Sequence, residues 1–121
     1  MRKRLLVGVV LVVAAALALG SLAFGGTTTL KLLSAKTALK YDKKTLKAHA
    51  GKITIVMTNP SSVFQHDVAI KLKGKVHKSK LAGTNKTVKL TLTLKPGKYT
   101  FYCTVPGHAA AGMKGTLIVS K

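Results

Sequence analysis

Cysteine, acidic residues and arginine are scarce in this 121-residue sequence, and these shortages limit which cross-links and functions are possible. A single cysteine cannot form an intramolecular disulfide, so the fold has no covalent cross-link. The only acidic residues are Asp42 and Asp67. Arginine occurs only at Arg2 and Arg4, and aromatic residues are not interleaved with the lysines. Specific nucleic-acid binding, which relies on arginine forks and aromatic stacking, is therefore excluded.

Lysine, in contrast, is abundant. The formal net charge is +19, and 18 lysines follow Arg4. A field of this size favours acidic partners or anionic surfaces. Because the lysines alternate with aliphatic residues, most of them are predicted to cover the solvent side of β-strands.

A basic start and a long apolar run form the N-terminus. Met1 to Arg4 is basic, and residues 5–24 are apolar or small. Twenty such residues exceed a usual signal core and could span a bilayer, whereas Ser21-Leu22-Ala23 could be a cleavage site. Residues 1–26 are predicted to be a signal peptide or an N-terminal membrane anchor with a short linker. In both cases residues 27–121 form one exported domain, periplasmic, secreted or tethered to the outer face of the cytoplasmic membrane.

Apolar residues in the remaining chain recur with a period of two, and no amphipathic helix or internal repeat is present. Seven or eight short strands with Gly, Pro and Asn turns indicate an all-β class, an antiparallel β-sandwich. The first predicted strand begins with residues 30–32, and another extended stretch lies within residues 63–73. The other predicted strands cover residues 39–41, 46–48, 52–58, 87–94, 99–103 and 115–120. Residues 75–85 are predicted to be an irregular loop over a sheet edge.

Soft metal donors cluster near the C-terminus. Cys103 is followed five residues later by His108 and five residues after that by Met113. A thiolate, an imidazole and a thioether suit copper, whereas a thioether is a poor zinc ligand and the segment has no carboxylate for hard cations. Taken alone, Cys103 could equally be a buried, inert cysteine. If Phe101 is in the core, strand parity points Cys103 inward, so the donors gather at one end of the sandwich.

Three donors leave such a site incomplete, and the remaining histidines differ in context. His49 and His77 lie among polar or charged neighbours and are predicted to be surface residues. His66 lies between two predicted strands, amid apolar neighbours and beside Asp67. It is the predicted fourth ligand.

With these residues assembled, the sequence over residues 28–121 resembles the cupredoxins, specifically the small plastocyanin/azurin-type blue copper proteins. The resemblance rests on Asn59-Pro60 and His66-Asp67-Val68 upstream, and on Tyr102-Cys103, His108 and Met113 at their spacing. It implies a Greek-key sandwich that holds one type 1 copper ion and transfers single electrons between redox partners, with no enzymatic activity. An alternative that uses the same ligands is a copper carrier. A multicopper enzyme would need a second domain and more histidines.

Carried onto this sequence, the resemblance implies His66, Cys103 and His108 as a trigonal set and Met113 as the weak axial ligand, a geometry known for blue copper sites. Gln65 stands where azurins carry a glycine, so a fifth, carbonyl ligand is not expected.

The neighbours of these ligands carry further expectations. Asp67 and Thr104 are expected to hydrogen-bond across the two ligand segments, with Asn59 supporting His66. Alternatively, Asp67 pairs with a surface lysine. The His108 ring edge is expected to reach the surface within a rim of small residues, where acidic redox partners would dock on a monomeric protein. The N-terminal segment could associate it with a membrane.

Overall fold

A computed structural model describes residues 26–121 of the protein, and nearly all of the predicted signal or anchor segment lies outside this range. Eight strands form in the described part: β1 (Thr27–Leu33), β2 (Thr45–His49), β3 (Gly51–Asn59), β4 (Ala69–Leu72), β5 (Lys75–Lys78), β6 (Lys86–Leu94), β7 (Gly97–Tyr102) and β8 (Lys114–Ser120). No helix among these residues is long and apolar enough to cross a membrane. The division into an N-terminal segment and one exported domain stays a prediction.

The strands form two sheets that face each other. One has the order β1-β3-β6 and the other the order β2-β8-β7-β4-β5. The β1/β3 and β2/β8 pairs are parallel, and the remaining pairs are antiparallel. The predicted all-β sandwich is confirmed, but its sheets are mixed because β1 and β2 each join their sheet beside a distant strand.

The core follows the predicted alternation. Ile53, Ile55 and Met57 of β3 are buried, and so are Leu90 and Leu94 of β6. All 18 lysines beyond Arg4 are exposed, so the lysines do cover the solvent side of the sandwich.

Two local predictions are wrong. Residues 75–85 are not wholly irregular, because β5 forms a hairpin with β4 through Lys73 and Gly74. Both turn residues have positive φ, 47° and 82°, as a tight type I′ hairpin turn requires. Lysine seldom adopts this conformation, so the turn has no clear signal. Residues 39–41 contribute only a bridge between Tyr41 and Ser34.

The two ends of the sandwich differ in content. The donor end carries the β3–β4 connection, residues 60–68, and the β7–β8 connection, residues 103–113. At the opposite end, here called the N-terminal end, Thr27, Lys52 and Thr93 lie abreast in the three-stranded sheet. The donor end therefore lies about one strand length from the point where the N-terminal segment joins the sandwich.

Candidate metal centre

Three of the predicted ligands meet at the donor end. His66 Nδ1 lies 3.2 Å from His108 Nδ1, and Cys103 Sγ lies 3.9 Å and 3.6 Å from these two nitrogens. All three side chains are buried, and they form the metal-ligand cluster of the described residues. Met113 is also fully buried and lies on the same connection as His108. His49 and His77 are not part of this cluster.

The three donor atoms, the two histidine nitrogens and the cysteine sulfur, are as far apart as the ligands of a single ion need to be. Typical bond lengths for such an ion are about 2.0 Å to imidazole nitrogen and about 2.3 Å to thiolate sulfur. The donor separations of 3.2, 3.6 and 3.9 Å are short enough for all three atoms to contact one ion at such lengths. The residues therefore fit a trigonal site of the two-histidine, one-cysteine kind.

Backbone hydrogen bonds fix the β7–β8 connection. The Cys103 N–H donates to the Met113 carbonyl at 3.1 Å, which closes the connection at its base. Within it, the Met113 N–H donates to the His108 carbonyl at 3.0 Å, and the His108 N–H donates to the Val105 carbonyl at 3.0 Å. Gly107 and Gly112 have φ of 83° and 115°, values that favour glycine, so the chain can turn on both sides of His108.

The segment that carries His66 is held by Asn59. The Asn59 side chain is completely buried, and its amide donates to the Phe64 carbonyl at 2.9 Å and the Ala82 carbonyl at 2.8 Å. Its oxygen accepts from the Ser34 hydroxyl and the Ser61 N–H. Ala82 in turn exchanges two backbone hydrogen bonds with His66, at 2.7 and 3.2 Å. Asn59 therefore supports His66 as predicted, through the backbone of Phe64, two residues before it, and of Ala82, its hydrogen-bond partner.

Asp67 links the two donor segments. Its carboxylate accepts hydrogen bonds from the Thr104 N–H, at 2.7 Å, and from the Thr104 hydroxyl. Its carbonyl accepts from the Tyr41 hydroxyl at 2.6 Å. Asp67 forms no salt bridge among residues 26–121, where Lys43 pairs with Asp42 instead. The hydrogen-bonding prediction is confirmed, and the surface ion pair is not formed.

The protein environment favours the neutral forms of the His66 imidazole and the Cys103 thiol, which lie next to each other at the centre. Burial lowers the pKa of His66, and the neighbouring His108 lowers it further. Burial raises the pKa of the Cys103 thiol, while backbone N–H groups of Asp67 and Val105 that donate to the sulfur act in the opposite direction. A bound cation reverses this balance, because it stabilises a coordinating thiolate directly.

Comparison with known proteins decides the family. The sequence model of copper binding proteins of the plastocyanin/azurin family matches residues 28–120. The chain belongs to this family. Auracyanin-A of Chloroflexus aurantiacus is 30% identical over 124 residues, which cover 78% of this chain and 76% of the relative. The cofactor is therefore copper, and His66, Cys103, His108 and Met113 are arranged as a type 1 copper site.

Solved structures of other cupredoxins have the same fold. Reduced auracyanin from the photosynthetic bacterium Roseiflexus castenholzii superposes with a TM-score of 0.72 at 28% identity, over 80% of this chain and 100% of that one. Auracyanin A from Chloroflexus aurantiacus, described as a "blue" copper protein, gives 0.71 at 31% identity, over 78% and 100%. Rusticyanin from Thiobacillus ferrooxidans, at 21% identity and a TM-score of 0.64 over 79% of each chain, shares the fold.

The surface above this cupredoxin centre is formed by the predicted rim. His108 as a whole is 7% exposed, so no more than an edge of its ring reaches the solvent, in line with the prediction. Pro106, Gly107 and Ala110 around it are exposed, as predicted for the rim. The rest of the His108 side chain lies beneath this rim.

Several supporting residues were not predicted. The Phe64 ring packs near both histidine rings, with centroids 6.0 Å from His66 and 5.6 Å from His108. His66 Nε2 is buried and has no hydrogen-bond partner in the described part of the chain, so packing orients this ring. Tyr41 reaches Asp67 from a distant part of the sequence. Only three-dimensional contact identifies these residues, since none carries a local sequence signal.

Proposed function

We propose that this cupredoxin is an electron shuttle rather than an enzyme, with His66, Cys103, His108 and Met113 as the ligands of one type 1 copper ion. Copper supplies a one-electron Cu(II)/Cu(I) couple when it is bound. The two histidines and the thiolate would form the trigonal set, and Met113 the weak axial donor.

The observation that supports this proposal most strongly is that three buried donor atoms lie within 3.9 Å of one another, on segments fixed by hydrogen bonds. Asn59 and Asp67 hold these segments from outside the donor set. Ligands positioned in this way rearrange little when the charge of the ion changes, and a small rearrangement speeds electron transfer. Burial of all four side chains also favours retention of the ion over delivery to an acceptor.

A partner would approach at the rim above His108. Besides the exposed Pro106 and Ala110, Val63 and Leu81 are 63% and 51% exposed next to segments that hold His66. These side chains offer a small apolar contact surface. The surrounding lysines favour a partner of acidic character, and the shuttle would work as a monomer.

We further propose that the shuttle works outside the cytoplasm. The support is the basic start followed by the apolar run at residues 5–24. Either a cleaved signal or a retained anchor leads to this location. Fractionation of cells that produce the full chain, with N-terminal sequencing of the product, distinguishes the two.

Spectroelectrochemistry of the copper-loaded protein tests the shuttle. A shuttle completes repeated one-electron oxidation and reduction without losing copper, and it exchanges electrons with a small redox dye faster than it loses the ion to a chelator. A carrier loses copper to the chelator or to an apo-acceptor upon the first reduction. That second outcome would replace the shuttle by a copper carrier with the same ligands.

A further inference from the structure

The N-terminal end of the sandwich carries a groove lined by lysines. Four exposed lysines, Lys71, Lys73, Lys75 and Lys95, border a groove of about 650 Å³ whose floor includes Leu72 and Leu94. The β4–β5 hairpin supplies one wall, and the β6–β7 turn supplies the other. No acidic residue lines it, so these charges are not neutralised by the protein.

The groove lies next to the point where the N-terminal segment joins the domain. Thr27 pairs with Lys52, which pairs with Thr93, and Thr93 lines the groove. Since neighbouring strands are about 4.8 Å apart, Thr27 is about 10 Å from this lining residue. The sequence before Thr27 contains the apolar run at residues 5–24 that is predicted to enter a membrane, at least during export.

We propose that the lysine groove binds anionic phospholipid headgroups and seats the domain on the membrane surface through its N-terminal end. Lysines close to an anionic bilayer attract it, and the attraction fades within about 8 Å at physiological salt, so only the lysines of the facing end contribute. The β6 strand from Leu94 to Lys86 is about 27 Å long, which places the copper centre at the far side from the lipid. The donor end then faces outward, toward redox partners.

The test replaces groove lysines by neutral glutamine, and the chain offers a matched control with the same number of lysines replaced elsewhere. The variant Lys71→Gln/Lys75→Gln/Lys95→Gln removes three groove charges. The control Lys36→Gln/Lys40→Gln/Lys86→Gln removes three charges from the donor end, where Lys86 pairs with Asn59. All six lysines are exposed, so neither set disturbs the core.

Residues 26–121 are the suitable protein for this test, because the apolar run would insert into any vesicle. Both sheets and all four proposed ligands lie within this range. The solved Roseiflexus auracyanin is matched over its full length by 80% of this chain, so a domain of this extent folds alone.

Sedimentation with vesicles of phosphatidylglycerol and phosphatidylcholine measures the partition. At roughly fivefold per lysine, the groove variant is expected to lose about 100-fold in partition coefficient, and the control less than about threefold. Equal losses of partition coefficient in both variants would show that net charge alone determines vesicle binding, and would overturn the proposal. So would binding of soluble polyglutamate at the groove without binding of vesicles, which would indicate an acidic polypeptide instead.

The orientation of the domain on the vesicle surface can be measured separately. In the copper-free domain, a gadolinium-chelate lipid in the vesicles should broaden the NMR amide signals of Lys73 to Lys75 and of Lys95, and spare those of Gly107 to Ala111. Broadening of the second set instead would contradict the proposed seating. Neither measurement requires bound copper, so failure here leaves the electron-shuttle proposal intact.

Discussion

Replacing Asn59 by alanine should weaken the copper centre without touching any proposed ligand. The side chain is 0% exposed and makes four hydrogen bonds, all to groups near the donor end. After Asn59→Ala, the Phe64 carbonyl, the Ser61 N–H and the Ser34 hydroxyl lose the partner that Asn59 provides, whereas the Ala82 carbonyl still accepts from His66. At about 1–3 kcal/mol for each orphaned group, the copper-free protein should lose about 3 kcal/mol of unfolding free energy.

A control must separate this local effect from general instability. Leu94→Ala removes buried volume at the N-terminal end of the core and should also cost about 2–5 kcal/mol. Denaturant unfolding of both copper-free variants establishes how similar their losses are. Competition with a chelator then measures copper affinity, and visible absorption monitors the site.

The two variants should differ at the metal. Asn59→Ala lets the His66 segment move relative to Cys103, so its copper dissociation constant should rise at least tenfold more than that of Leu94→Ala. Equal affinity losses at equal stability would refute the positioning role of Asn59. A stability loss below about 1 kcal/mol would refute the hydrogen-bond argument itself.

Three further perturbations follow from the same contacts. Asp67→Asn keeps an oxygen for the Thr104 N–H but removes a negative charge, so cyclic voltammetry should show a reduction potential raised by tens of millivolts, because loss of a nearby negative charge disfavours the more positive oxidised ion. Asp42→Asn, at an exposed ion pair, should change it far less, and equal shifts would contradict a local effect. Gly115→Ala places a methyl group 2.7 Å from the Lys44 carbonyl and against the Phe101 ring, so denaturant unfolding should show a loss of about 2–3 kcal/mol, while Gly26→Ala, with open space around it, should be neutral. Burial raises the pKa of Tyr41 above its ordinary value, so the folded state keeps the phenol protonated and its contribution is lost as pH rises above about 10. Tyr41→Phe should therefore cost about 1 kcal/mol at pH 7, a gap that narrows in alkaline solution; a constant gap would contradict the assigned burial.

The strands were predictable where one face is buried along their whole length. Ile53, Ile55 and Met57 alternate with polar residues, and all three are in the core. The β4–β5 hairpin was missed because its turn places a lysine at positive φ, for which the sequence offers no signal. The parallel pairing of β1 with β3 could not be predicted either, because alternation fixes the face of a strand but not its neighbour.

The donor cluster was predictable for a different reason. Cys103 is the single cysteine, and its spacing to His108 and Met113 limits what chemistry these residues share. Support from Tyr41 and Phe64 was not predictable, because both reach the centre by tertiary packing. The positive φ of Gly107, directly before His108, is a conformation that the spacing of the ligands does not reveal.

Visible absorption of the protein loaded with Cu(II) tests the central claim most directly, with Cys103→Ser as the comparison. The cysteine sulfur lies 3.6 Å and 3.9 Å from the two histidine nitrogens, so a copper ion bound there must contact the thiolate. The wild type should be intensely blue and bleach on reduction, and the serine variant should lose the colour even where it still binds copper. Blue colour that survives in Cys103→Ser would contradict the assignment of this centre.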